Sequence, residues 1–332
     1  MVLNMNQNSM AIIMLCSHLC PVENVKPFEP AEWTVFAERL IDKKIEPQAL
    51  MSLSNADFET HLSLSSDETQ RITRLISRSG SITFEIEKYA NMGINIMTKA
   101  DIIYPKALMR KLGKSCPPIF YYAGNPELID KKLIGFVGSR NTNIEDEVFT
   151  AATVKKINAK GFSVVSGGAR GIDSIAADIS IANGSCCVEY IPDSLITRIK
   201  PKAVVSAMVN NRLLIMSATK PDSRFIAGFA IMRNRYIYAQ SEGTVVIKAD
   251  YNKGGTWNGA TTNLKQRLCS TYCWNNPKYA GNIELIKRGA LPIDESWTGD
   301  VTASGAEQMS IPEQLSLFTK MGFAQNPSGL RE

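Results

Sequence analysis

The chain has 332 residues, of which 44% are hydrophobic and 21% charged, and a formal net charge of +5. This length suits two domains, or one large domain with appendages. The composition is that of an ordinary soluble globular protein, and it excludes a chain too poor in core residues to fold without disulfides or metals.

In chain order, the first apolar run is Met10–Cys16, only about two helical turns long. No Lys or Arg precedes it, so the positive start of a secretory signal is missing. It is also far short of the ~20 residues that span a bilayer. The expectation is a soluble, cytoplasmic protein with no membrane contact. The spacing Cys16-x-His18-x-Cys20 suggests metal ligands, but no second pair follows at zinc-site spacing. The seven cysteines are therefore read as reduced thiols, with neither a metal nor a cofactor expected.

Residues 1–90 read as a compact helical accessory domain. Trp33, Phe36, Ala37, Leu40 and Ile41 recur at helical spacing along Trp33–Lys43, and Ser54–Asp57 and Ser65–Glu68 are helix-start signals. From residue 91 to 130 the sequence reads as an extended lead-in, with strand-like alternation over Gly93–Thr98, breaks at Tyr104-Pro105 and an extended segment over Cys116–Tyr122. From Lys131 to Asp294 strands alternate with helices. Strands are expected at Leu133–Val137, Phe162–Val165, Cys186–Ile191, Leu213–Met216, Thr244–Ile247 and Thr271–Trp274. Helices are expected at Glu147–Lys160, Ile172–Ala182, Phe225–Gln240 and after Gly259. Such alternation calls for an α/β fold, a doubly wound and mostly parallel sheet with helices on both faces. Residues 295–310, with Gly, Ser, Thr and Ala and no Lys or Arg, read as a linker, so that 295–332 forms a flexible tail beyond a domain at 91–294.

Chemistry-bearing residues concentrate where strands end. The first strand runs into Gly138-Ser139-Arg140, where a glycine turn brings backbone N–H groups and a guanidinium fork to one place. The second runs into Ser166-Gly167-Gly168-Ala169-Arg170-Gly171-Ile172-Asp173, beside the first turn at the carboxyl edge of such a sheet. Asp173 reads as a helix cap first, or as a holder of a nearby arginine. The spacing differs from Gly-x-Gly-x-x-Gly, which argues against a dinucleotide. Late in a helix come Arg233-Asn234-Arg235, two arginines on different faces. A fourth loop, Gly254-Gly255-Thr256-Trp257, offers donors at a helix start, with Trp257 read either as a stacking ring or as a core residue. From Leu195 to Arg235 eight basic residues face a single acid, which fits either a polyanionic partner or a solvated basic face. No His, Cys or paired carboxylates recur among the four loops for acid–base or nucleophilic work, so binding rather than catalysis is expected.

The order and spacing of Gly138-Ser139-Arg140, Ser166–Asp173 and Arg233-Asn234-Arg235, with the lead-in from Gly93 to Gly124-Asn125, resemble the DNA-processing protein A (DprA/Smf) family over roughly residues 90–275. The helical front resembles the family's N-terminal SAM-like domain more loosely. The resemblance implies a Rossmann-like domain that binds single-stranded DNA, head-to-head dimerisation, and loading of the RecA recombinase. By matching position, Arg140 and Arg170 would bind phosphates, with Arg233 and Asn234 in the same pocket, and Ser166, Gly167 and Gly168 would present backbone donors. Two positions depart from the family pattern. Ala177 stands where a histidine usually follows the Gly-Ile-Asp aspartate, and Gly254–Ala260 replaces the usual Ser-Gly-Ser/Thr-x-x-Thr-Ala motif.

The alternatives are a nucleotide phosphoribohydrolase-like enzyme, whose Gly-Gly-x-Gly-Thr loop Gly254-Gly255-Thr256 echoes without the glutamate that should follow, and an antitoxin of a defence or mobile-element locus paired with a cognate toxin. Near the C-terminus, Gln314-Leu315-Ser316-Leu317-Phe318 resembles the short peptide by which bacterial proteins bind the sliding clamp.

Overall fold

The computed structural model describes residues 5–301, which fall into two compact units, 5–121 and 122–301. The Gln314–Phe318 peptide lies outside the described residues.

The first unit is helical. Its centre is α1 (Gln7–Cys16), in which Ala11 to Cys16 are all buried, so the short apolar run is part of the core. It is followed by α2 (Pro30–Asp42), α3 (Asn55–His61), α4 (Ser66–Ile76), α5 (Ser79–Asn91), the strand β1 (Asn95–Thr98) and α6 (Lys106–Leu112). The start of α2 lies at Pro30, earlier than the apolar spacing suggests, because a proline at the first turn and a Glu29–Glu32 capping box extend it forward. The two serine signals act as expected, with Ser54 accepting from the Asp57 N–H at 3.3 Å and Ser65 from the Glu68 N–H at 3.2 Å. The carboxyl end of α1 is closed by Arg78, whose buried guanidinium donates to the carbonyls of Leu19 at 2.6 Å, of Ser17 at 2.9 Å and of Met14. It thereby satisfies carbonyls that the helix end leaves unpaired.

β2 (Ile119–Gly124) carries the chain into the second unit, which continues β3 (Leu133–Val137), α7 (Ile144–Ala159), β4 (Ser163–Ser166), α8 (Ile172–Ala182) and β5 (Cys187–Tyr190). Then come α9 (Leu195–Arg198), α10 (Lys202–Val209), β6 (Leu213–Ser217), α11 (Ala227–Gln240) and β7 (Gly243–Val246). The last elements are α12 (Gly254–Gln266), β8 (Ser270–Trp274), α13 (Ala280–Lys287) and β9 (Leu291–Ile293). Strands β3 to β9 form parallel pairs in the order β6-β5-β4-β3-β7-β8-β9. This is the doubly wound, Rossmann-like arrangement. Strands β3 to β5 and β7 are buried along their whole length, as a sheet covered on both faces requires.

The order decides where a ligand fits. The chain winds outward from β3 through β4, β5 and β6, then returns through α11 to place β7 on β3's other side. The strand order reverses at β3, and a crevice opens above the carboxyl ends of β3, β4 and β7. One helix starts earlier than the sequence suggests: α12 begins at Gly254, not after Gly259. Glycines lower helix propensity, but Trp257, Ala260 and Asn263 bury one face and hold the first turn in place.

Candidate nucleic-acid interface

Three of the four motif-bearing loops meet in that crevice from the strand ends, and α11 supplies the fourth wall. After β3 the chain turns through Gly138 to Asn141, where the Asn141 N–H donates to Ser139 Oγ at 3.1 Å. Arg140 is exposed and its guanidinium lies 5.8 Å from the Phe225 ring centroid. After β4 the chain turns through Gly167 to Gly171. At Gly171 φ is +87°, and a Cβ there would sit 2.4 Å from the Ser139 carbonyl oxygen, so only glycine lets the two loops touch. Arg170 then ties them together, donating through Nη2 to Asn141 Oδ1 at 2.9 Å.

The loops enclose two adjoining cavities. One, of about 520 Å³, is walled by Gly138, Ser139, Arg140, Arg233, Asn234 and the Gly254-Gly255-Thr256 start of α12. The other, of about 800 Å³, is walled by Gly167, Gly168, Arg170, Arg198 and Arg224, again with Arg140 and Arg233. Arg140, Arg233, Ala169 and Phe225 border both. Of the residues singled out from sequence, Ser166, Gly171 and Arg235 line neither cavity. Ser166 is fully buried and donates its hydroxyl to the Phe136 carbonyl at 3.0 Å, which joins β4 to β3. Gly171 acts through the loop contact just described, and Arg235 is half-buried.

Arg233 is no surface residue. It is 5% exposed, packed so closely on Gly167 that a Cβ there would overlap Nη1, and its Nη1 lies 3.6 Å from Asp173 Oδ2. Asp173 therefore partners an arginine instead of capping α8, where Gly171 holds the cap position without a side-chain bond. Burial pushes the Asp173 carboxyl up to about 6, against the pull of the Arg233 guanidinium and the Ala169 N–H. A second ion pair, between a buried carboxylate and a half-buried arginine, was not read from the sequence. Glu189 at the end of β5 accepts from Arg198 Nε at 2.9 Å and Nη2 at 2.7 Å. Burial also raises the Glu189 carboxyl, with Arg198 opposing it. Lys248, beyond β7, spends its charge structurally, donating to the buried Asp146 at 3.0 Å and to the Asn141 carbonyl at 3.1 Å. It staples the Arg140 loop to β7.

Four cations bordering the cavities, Arg140, Arg170, Arg224 and Lys253, are exposed and without an ion pair among the described residues. Trp257 is a core residue. It is 3% exposed, set edge-on to Tyr251 at 5.2 Å and covered by Arg288 at 4.9 Å, and it lines neither cavity. The ring that does face the crevice is Phe225, half exposed between the cavities. Its signal in the sequence was an aromatic next to an arginine inside the basic stretch. No group of three or more His, Cys, Asp or Glu among the described residues is placed to hold a metal ion. No helix among them is long and apolar enough to cross a membrane.

Residues 95–299 match the family model described as DNA recombination-mediator protein A. The chain is 27% identical over 270 residues to the DNA processing protein DprA of Bacillus subtilis (strain 168), covering 76% of this chain and 89% of that one. Its fold resembles the X-ray structure of DNA processing protein A from Streptococcus pneumoniae, with TM-score 0.56, 18% identity, and coverage of 80% of this chain and 95% of that one. It also resembles DNA processing protein A from Helicobacter pylori, whose single-stranded-DNA binding mode has been described, with TM-score 0.52, 23% identity, and coverage of 68% and 96%.

Proposed function

The chain belongs to the DNA recombination-mediator protein A family, and from that membership we propose that it binds single-stranded DNA along the carboxyl edge of its parallel sheet without catalysing a reaction on it. The observation that carries the reading is the position of Arg140 in the wall shared by two adjoining cavities, with Arg170 hydrogen-bonded into the same loop pair. Phosphates meet Arg140, Arg170 and Arg224, while the missing side chain of Gly167 leaves room for the Arg233 guanidinium beneath them. Phe225 supplies a ring for an unpaired base, a contact worth ~1–3 kcal/mol per base. Duplex bases are stacked on each other and cannot use it, so a single strand is preferred.

Arg233 supports this surface from beneath. Its charge is shared with Asp173, so it positions the Gly167 turn more than it neutralises a phosphate. A second copy of this chain and a RecA recombinase are the partners proposed to act with the bound strand.

The test is fluorescence anisotropy with labelled single-stranded, duplex and RNA oligonucleotides. Replacing Arg140 and Arg170 together by alanine is expected to weaken single-strand binding at least tenfold, equally for all base sequences. Unchanged affinity in that double variant removes the proposed surface.

A further inference from the structure

The smaller cavity contains more than a passing backbone needs. Tyr238 lines it, and its hydroxyl is fully buried with no hydrogen-bond partner among the described residues. The same holds for Nε of Arg233 on the same wall, while its Nη1 is engaged with Asp173. A buried donor left unmade costs the full desolvation of that group, so orphaned donors from two residues in one cavity mark a place for an acceptor. Another wall is the start of α12, a 13-residue helix. Its cap residue Lys253 makes no side-chain cap bond, so the first N–H groups, on Gly254, Gly255 and Thr256, have no partner within the helix. The helix dipole adds roughly half a positive charge there. Arg140 and Lys253 stand exposed at the rim.

We propose that this cavity is a separate subsite for a phosphomonoester of a nucleotide, either the phosphorylated end of a DNA strand or a free mononucleotide. The reasoning is valence. The donors converge from three points on two helices: the middle of α11 (Arg233), its later turn (Tyr238) and the start of α12. A phosphomonoester offers three terminal oxygens and a single ester link, so it enters such a cavity end-on. A diester has two free oxygens and two links, and it would have to thread through. Two acids also line the cavity, Asp173 and Asp250, but Asp173 is already engaged with Arg233. The balance still favours an anion. The proposal rests on the strand-binding reading for its strand-end source, but its donors stand independently of Arg170 and Arg224.

The experiment uses the full chain and four probes: an oligonucleotide with hydroxyl groups at both ends, the same strand phosphorylated at its 5′ end, the same strand phosphorylated at its 3′ end, and thymidine monophosphate against thymidine as competitors. One phosphorylated strand is expected to bind about tenfold tighter than the hydroxyl-ended strand, since hydrogen bonds to a charged group are worth at least that factor. A preference confined to the strands assigns the subsite to strand ends. Displacement by thymidine monophosphate, but not thymidine, assigns it to the free nucleotide. Tyr238→Phe, which keeps the ring and removes the donor, is expected to bring either preference back towards one. The proposal is overturned if all three strands bind equally and thymidine monophosphate displaces nothing. It is also overturned if Tyr238→Phe, folded by circular dichroism, keeps the full preference. If no strand binds while thymidine monophosphate raises the melting temperature and thymidine does not, the strand-binding reading fails and the subsite stands.

Discussion

At the scale of single residues, the crevice holds some charges in internal pairs and leaves others exposed. Among these groups, burial pushes the Asp173 carboxyl up to about 6 from an ordinary 3.8. A raised folded value means that the stability this group contributes is fully present below about 3.8 and is lost as pH rises through about 6. Urea denaturation at pH 5, 6 and 7 is therefore expected to show a smaller pH dependence for Asp173→Asn than for the wild type, and parallel curves would contradict the assignment. Phe225 gives a second residue-scale prediction. Phe225→Ala should weaken single-strand binding by about 1–3 kcal/mol, with duplex binding little changed, and equal losses on both would argue that the ring does not stack on bases. The sequence raised an arginine partner for Asp173 as its second reading, without saying which arginine, and gave Phe225 no role. Arg233 and Asp173 are sixty positions apart, and only the packing of α11 over the β4 turn pairs them. Phe225 and Trp257 are both aromatics beside Gly- or Arg-rich segments, and sequence alone cannot tell which is covered. Burial decides it, with Phe225 at 50% exposure and Trp257 at 3%.

Among elements, the strand–glycine–helix joints were legible because each is dictated locally. A buried strand must end in a turn, and a glycine there announces a backbone conformation or approach that other residues resist. The second strand and α8 were read within a residue of their bounds for this reason. The start of α12 was not, since two glycines and a later third obscure a helix whose first turn is held by the burial of Trp257. α9, α10, α13 and β9 also went unread. α9 is four residues long and β9 three, too few for periodicity to register. The joints make a prediction of their own. Gly171→Ala forces an alanine to φ +87° and against the Ser139 carbonyl, and strain in such regions costs roughly 1–3 kcal/mol. Chemical denaturation is expected to show that loss together with weaker DNA binding, because the same contact sets the spacing of the Arg140 and Arg170 loops. A variant as stable as the wild type would mean that the joint is not held as described.

For the molecule as a whole, the net charge of +5 is a poor guide to where a polyanion would sit. The fold gathers what composition disperses. A doubly wound sheet brings the ends of β3, β4 and β7 to one edge, and the basic stretch after β5 contributes Arg198, Arg224 and Arg233 to the same rim. Part of that charge is then cancelled internally, by Glu189 on Arg198 and by Asp173 on Arg233. The remaining exposed arginines should bind DNA through displaced counterions, and for single strands each phosphate contact contributes about −0.7 to the slope of log K against log salt. The most direct measurement is that slope, taken by anisotropy over a range of salt concentrations for the wild type and the Arg140→Ala, Arg170→Ala double variant. The account predicts a slope shallower by roughly 1.4 in the variant, two phosphate contacts' worth. Two parallel lines, displaced or coincident, would show that neither guanidinium meets a phosphate.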